Sequence, residues 1–417
     1  MAQRYLDHLV NDILPWWLAH GPDPDRGGVR TCWDNLGQQL VSDDKYTWSQ
    51  GRWVWLASAV AGAAEDGWLP VDPGPWRTTA VATAHHVADH AMLTDGSTAF
   101  VTDGDGTPYE PTPGGGLHTS IFADFFVALG WARLGRLGAD PDRDWAARAE
   151  RLLVDTARRV AAGGVRTDPY PVPQGYGSWA LPMITLGVAT EVHLATGSPA
   201  SADLVRSAAD ELAVRHVSGD DAIEMPVLGP PGDPESLLAR HRTPGHALEC
   251  LWFLDDARQV IGEHELTDPA RLAAIARHAL RIGWDEEYGG LLRYVDAAGG
   301  EPVGAVAPGS DGGPDPYVSL VQRTWSTKLW WIHSEATLAC ELLLSRTDDP
   351  ELAQWRDRVR DWTVDVFPAG PGQEWVQNRD RAGDPIGGTV ALPVKDPMHV
   401  ARAWLRLAEL EHRGALR

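Results

Sequence analysis

The sequence predicts an all-α fold: an (α/α)6 barrel of six inner and six outer helices, with short β-hairpins in the loops before the inner helices. Three observations predict it. Apolar residues recur with a period near 3.6 in twelve segments, close to 3–20, 47–66, 75–92, 119–137, 142–162, 176–197, 199–216, 244–263, 268–284, 325–346, 350–366 and 397–413. The connections alternate between short links and longer Gly-rich stretches. The helices that follow the long stretches are spaced by ~70 residues, about one sixth of the chain, which is the mark of a six-fold helix-hairpin repeat.

Each element has a local reason. Thr47 and Gln50 have capping-box spacing. Asp140-Pro141, Asp268-Pro269, Asp349-Pro350 and Asp396-Pro397 each offer an N-cap followed by a proline suited to the first helical position. Hairpin signatures occupy 27–40, 100–110, 289–303 and 374–386. An inner helix is buried all round and should read apolar on every face, as SQGRWVWLASAVAGAA does. An outer helix should be one-sided, as DRDWAARAERLLVDTARRVA is. No low-complexity stretch or charged linker intervenes, so residues 1–417 read as a single catalytic domain.

Composition narrows the function. The formal charge of −22 argues against a nucleic-acid or anionic-membrane surface, both of which need a basic patch. The longest apolar run, Trp53 to Ala64, is well short of the roughly 20 residues that span a bilayer. The N-terminal segment lacks the pattern of a secretory signal, and Cys32, Cys250 and Cys340 are odd in number and widely spaced, so a cytoplasmic protein with free thiols is expected. Trp outnumbers Tyr and Phe together, 20 against 8 and 6. Most of these indoles should pack the core, but a broad apolar ring also stacks on the C–H face of a sugar.

Two of the histidines occupy matching places. Thr243-Pro244-Gly245-His246 and Asp396-Pro397-Met398-His399 share one layout, with the histidine in the first turn of an inner helix. The positive end of the helix dipole disfavours a cation there, so both imidazoles are expected to be neutral near pH 7 and able to accept a proton. Glu249, three residues after His246, shares its face and is positioned to orient the ring. Trp48 and Arg52 open the second helix. Arg52 must be bridged by an acid or held for a ligand, since an unpaired buried guanidinium is costly. In the tenth helix, Trp330 and Trp331 point about 100° apart, so one of them should face the cavity, with Glu335 a turn further on. His86 and His90 have metal-ligand spacing but lack an accompanying HExxH glutamate, and no Walker, GxSxG or dinucleotide motif is present.

The segments PGHALECLWFL (244–254), WDEEYGGLLRYVD (284–296), KLWWIHSEA (328–336), WSQGRWVW (48–55), SIFADFFVALGWA (120–132) and KDPMHVARAWLRL (395–407) resemble the N-acyl-D-glucosamine 2-epimerase family, in its order and over most of the chain. That family includes cellobiose 2-epimerases and aldose–ketose isomerases on an (α/α)6 barrel. The resemblance implies that His246 and His399 form the acid/base pair, with Glu249 beside the first and Arg52 binding sugar oxygens. It implies that Trp252, Trp330, Trp331 and Glu335 line the cavity. The further histidine that isomerases of the family often carry on the sixth helix is absent, because Thr185 stands in that stretch.

The function expected is a carbohydrate 2-epimerase acting on an aldose or N-acyl hexosamine through an enediolate, with no metal or redox cofactor. An aldose–ketose isomerase on the same site is the alternative. A glycoside hydrolase using carboxylates such as Glu249, Glu335, Glu224 or Asp285 is a second, and a non-catalytic saccharide binder a third. The expected partner is a mono- or disaccharide, with no nucleic acid or membrane, and a homodimer is left open.

Overall fold

The computed structural model describes residues 4–306, 315–387 and 394–416. Twelve long helices form in the predicted places: α1 (4–20), α2 (Thr47–Glu65), α3 (73–91), α4 (Ile121–Leu137), α5 (Trp145–Ala162), α6 (Ala180–Thr196), α7 (199–216), α8 (Pro244–Ile261), α9 (Pro269–Gly283), α10 (Trp330–Arg346), α11 (Pro350–Val366) and α12 (His399–His412). Two short helices, Leu237–Arg240 and Pro316–Thr324, lie in loops that the sequence leaves as irregular. The predicted start at residue 3 lies outside the described residues.

The even-numbered helices form the inner ring. Each packs on the next, and α12 returns to α2, so the ring closes rather than running on as an open solenoid. The outer α3, α5, α7, α9 and α11 pack on the inner helix before them, and α1 packs on α12. Burial follows this layering. α4 is buried at nearly every position, whereas α5 buries one stripe, Trp145, Ala149, Leu152, Leu153 and Thr156, at helical spacing. The architecture is an (α/α)6 barrel.

Short antiparallel strand pairs stitch the repeats together at the N-terminal ends of inner helices. β1 (Lys45–Tyr46) pairs with β2 (Val101–Thr102), with Lys45 opposite Thr102. The tight hairpin of β3 (Val217–Ser218) and β4 (Asp221–Ala222) follows α7. β5 (His241–Arg242) pairs with β6 (Val295–Asp296), and β7 (Lys328–Leu329) with β8 (Asn378–Arg379). Three of the four pairs therefore join the residues just ahead of one inner helix to the hairpin of the following repeat. This pins the first turns of α2, α8 and α10.

Several predicted caps yield to tertiary partners. Gln50 does not close a capping box. Its amide grips the Val29 backbone from both sides, at 2.7 and 2.8 Å, and Tyr46 takes the N-cap position. Asp140 does not cap α5, because His85 and the Trp145 indole claim its carboxylate. Asp144 caps that helix instead, accepting from the Ala147 N–H. Helix α12 starts at His399 rather than at Pro397, yet Asp396 still satisfies the freed N–H groups of Met398 and His399. Helix α6 begins at Ala180, because 176–179 pair with 224–227. Residues 325–329 supply a turn and β7 before α10 begins.

The crossing of α2 and α4 depends on two facing glycines. A Cβ at Gly51 would collide with the Phe126 carbonyl, and one at Gly130 with the Gly51 carbonyl. Both obstacles are backbone and cannot swing aside. Gly51→Ala should therefore destabilise the protein by about 1–3 kcal/mol through overpacking. Gly62→Ala, on the same helix with only a Leu137 methyl at 3.8 Å, should be neutral or stabilising by up to about 1 kcal/mol. Urea unfolding of the two variants checks the difference.

Candidate active site

All six inner helices line one cavity of about 260 Å³. Its wall is uneven in chemistry. Helices α4 and α6 contribute Phe122, Phe126, Met183, Ile184 and Val188, whereas α8, α10 and α12 contribute His246, Glu249, Trp252, Trp330, Trp331, His399 and Arg402. Helix α2 adds Trp48 and Arg52. Thr185 spends its hydroxyl on the Leu181 carbonyl, and no histidine of α6 reaches the cavity among the described residues. Both Trp330 and Trp331 line the space, contrary to the expectation that one would. The β7 pairing starts α10 at Trp330, so both indoles sit at the end of the helix beside the cavity rather than along its flank.

Trp331 lies beside both histidines. Its ring centre is 5.3 Å from that of His246 and 5.8 Å from that of His399. Gly245 makes this approach feasible, since a Cβ there would stand 2.6 Å from the Trp331 ring. The two imidazoles thus share one indole on the wall of one cavity.

Each imidazole is held by a carboxylate at Nδ1. His246 Nδ1 lies 3.0 Å from both oxygens of Glu224. His399 Nδ1 lies 2.8 Å from Glu335 Oε1. An ionised carboxylate only accepts, so Nδ1 carries the proton in both rings and Nε2 is the working nitrogen. The expectation that Glu249 orients His246 is corrected. Glu249 binds Arg402 Nη2 at 2.5 Å and lies 3.7 Å from His399 Nδ1, while the loop after β4 delivers Glu224 to His246. The Ile223 N–H bonds to the His216 carbonyl and the Glu224 carbonyl receives the Trp179 N–H, which holds that loop in place.

The charge state of His246 is also corrected. Burial alone would depress its pKa, as would the helix end, but the adjoining Glu224 charge and hydrogen bond outweigh this and raise it. Burial pushes Glu224 up, and the His246 cation beside it brings it below the usual carboxylate range. Each partner thus favours the charged form of the other, which opposes the neutral imidazole expected from the helix end alone. By contrast His333, on the same helix as Glu335, is a core residue. It accepts from the Leu291 N–H at 2.8 Å, and burial takes its pKa down to about 3.

A buried charge network backs His399. Arg402 Nη2 donates to Glu249 at 2.5 Å and to Glu335 at 2.6 Å, and the Trp252 indole donates to Glu335 Oε2 at 2.7 Å. Burial raises Glu335, but Arg402 and His399 together hold it below its usual value. Glu249, Glu335 and His399 are close enough to share a cation, and the Arg402 guanidinium already sits against all three. Arg52 donates to Asp396 Oδ2 at 2.5 Å and lies 4.0 Å above the Phe126 ring. Its Nε is buried and has no partner among the described residues. Arg52 is thus both bridged and exposed to a ligand.

Sequence reasoning gives Arg402 no role and Asp396 only that of an N-cap, although His399 and Arg402 stand at i,i+3 on one helix face. Glu224 stands in the sequence only as a hydrolase carboxylate, 22 residues from its histidine, and nothing local marks it. Asp285 lies outside the cavity, held by Lys328 and Arg381.

Residues 221–403 match the family model described as N-acylglucosamine 2-epimerase. The N-acylglucosamine 2-epimerase of Bos taurus is 28% identical over 416 residues, covering 96% of this chain and 89% of that one. Among solved structures, a cellobiose 2-epimerase from Bacillus thermoamylovorans superposes with a TM-score of 0.72 at 16% identity, over 97% and 98% of the two chains. A D-mannose isomerase superposes with a TM-score of 0.71 at 16% identity, over 98% of each chain. Fold and matches place the chain among the (α/α)6-barrel isomerases. It is similar to the N-acylglucosamine 2-epimerase family, through the family model over residues 221–403 and through relatives matched over nearly the whole chain.

The Glu224–His246 contact sets a pH dependence. A raised pKa keeps His246 protonated to higher pH, and its acid form is lost as pH rises through that value. Glu224→Gln removes the charge that raises it. The alkaline limb of the pH–rate profile should then move to lower pH, with kcat/KM down roughly 10- to 100-fold. Rates measured across pH 5–10 for both proteins test this.

Proposed function

We propose that the protein is a sugar 2-epimerase that inverts C2 of an aldose or N-acyl hexosamine by proton transfer between His399 and His246. The observation that carries this reading is the placement of two imidazoles beside one indole, each with Nδ1 anchored by its own buried carboxylate. The open-chain aldehyde acidifies the C2–H bond. His399 Nε2 removes that proton, and the electron pair moves into the C1 carbonyl to form an enolate or enediolate. Arg52 faces the growing negative charge with its remaining donors, an interaction stronger in the transition state than in the ground state. His246 in its acid form, which Glu224 favours, delivers its Nε2 proton to the opposite face of C2 and inverts it. In the reverse direction the roles exchange.

Two bases are required because a single base returns the proton to the face it left. Delivery to C1 instead would give a ketose, so epimerase and aldose–ketose isomerase share all steps but the last. The apolar wall of α4 and α6 offers an acyl methyl a matching surface and leaves a hydroxyl there without a partner, which favours an N-acyl substrate. A hydrolase needs one carboxyl group kept protonated as the acid. Glu224 and Glu335 are both held below the usual range by cations, and Glu249 is spent on Arg402, which counts against that reading. The expected setting is the cytoplasm, with a small saccharide as ligand.

Turnover in D2O tests the proposal. Recovered N-acetylglucosamine or N-acetylmannosamine should carry deuterium at C2, and label at C1 of a ketose would instead mark the isomerase outcome. His246→Ala and His399→Ala should each lower kcat by roughly 10²–10⁴-fold, the usual size of a general acid–base contribution. Unlabelled sugar released from a glycoside, or full activity in both variants, would overturn it.

A further inference from the structure

Four arginines line the cavity: Arg52, Arg293, Arg402 and Arg406. Three of them hold a carboxylate. Arg52 pairs with Asp396, Arg402 with Glu249 and Glu335, and Arg406 with Asp256. Arg293 is the exception. It is 4% exposed, and among the described residues no carboxylate pairs with it. Among the described residues its Nη1 is buried without a hydrogen-bond partner, Nη2 reaches the Tyr170 hydroxyl at 3.4 Å, and the Tyr294 phenol is its other side-chain partner. Glu224, the acid facing this part of the wall, gives both oxygens to His246.

A guanidinium does not shed its proton, so a buried one without an acid is held at a cost that a bound anion would remove. The chain holds Arg293 there deliberately. Its own N–H donates to the Thr327 carbonyl and that of Tyr294 to the Trp325 carbonyl, while β6 begins two residues later. The backbone thus fixes where this side chain stands. Its surroundings are phenolic. Its guanidinium lies 4.9 Å from the Tyr294 ring centre, and Tyr170, Tyr294 and Tyr317 line the same part of the cavity. Burial pushes the Tyr294 phenol up to about 12 and the Tyr317 phenol up as well, so both keep their protons; Tyr317 directs its own at His241 Nε2, 3.4 Å away, and Tyr294 can donate to a ligand. One guanidinium with a free N–H face and the phenols of Tyr170 and Tyr294 form a cradle for an oxyanion. Arg293 and His246 line the same cavity, so an anion held here belongs to a molecule within reach of the histidines.

We infer that Arg293, with Tyr170 and Tyr294, binds an anionic group of the sugar, so that the natural substrate is an acidic sugar bearing a carboxylate or a phosphate. This rests on the sugar-epimerase reading above and narrows its substrate class. It also distinguishes Arg293 from Arg52: Arg52 faces charge that develops during reaction, whereas Arg293 faces charge the substrate brings with it.

The test compares neutral sugars with their acidic counterparts on the full-length protein. Deuterium exchange at C2 is followed for glucose, mannose and N-acetylmannosamine, for their 6-phosphates, and for glucuronate and mannuronate. The wild type should favour one acidic series over the neutral one by about 100-fold in kcat/KM, and the two acidic series separate phosphate from carboxylate recognition. Arg293→Gln should reduce that preference by a similar factor, and Arg293→Lys should keep part of it. Equal loss on neutral and acidic sugars in Arg293→Gln, or a wild-type preference for neutral sugars, would overturn the inference. Calorimetric binding of glucose 6-phosphate, glucuronate and glucose is measured alongside. If no sugar exchanges deuterium, the epimerase reading fails, but tighter binding of an acidic sugar that Arg293→Gln abolishes still supports the anion site. Equal affinity for all three, or no binding of the acidic sugars, removes it.

Discussion

The arrangement of the site depends on one buried cation. The Arg402 guanidinium, 3% exposed, bridges Glu249 on α8 and Glu335 on α10 from its own place on α12. Three inner helices therefore converge on one group. Removing any member would leave an uncompensated charge in the barrel, at a cost of about 3–5 kcal/mol. The same bridge aims Glu335 at His399 Nδ1 and gives the Trp252 indole an acceptor. The orientation of the His399 ring thus follows from an ion pair anchored on the neighbouring helices.

The two histidines show how a strong local interaction overrides a weaker regional one. Both sit at the positive ends of helices, where the dipole opposes an imidazolium by about 0.3–1 kcal/mol. A hydrogen bond to a charged partner contributes about 1.5–3 kcal/mol. At His246 the carboxylate wins and the proton stays.

Packing and chemistry also meet at glycine. Gly51 lets α2 and α4 approach backbone to backbone, and the next residue is Arg52, which that contact seats over Phe126. Gly245 precedes His246 and admits Trp331 beneath it. In both cases the residue without a side chain stands next to one that lines the cavity, and the close approach it permits fixes where that neighbour sits.

The sequence alone determined the twelve helices, the six-fold repeat, the layering of apolar and one-sided helices, and the pairing of His246 with His399. These follow from periodicity and from proline-marked helix starts, which act over a few residues. The partner of each histidine and the lack of an acid beside Arg293 among the described residues were decided only by tertiary structure. Glu224 comes from a loop far back in the chain, and Arg402 draws its acids from helices more than sixty residues away. Caps failed for the same reason: Gln50 and Asp140 have the right local spacing, yet partners brought in by folding bind them better. A side chain with several donors or acceptors goes to whichever partner the whole barrel places nearest, and that choice has no local signature.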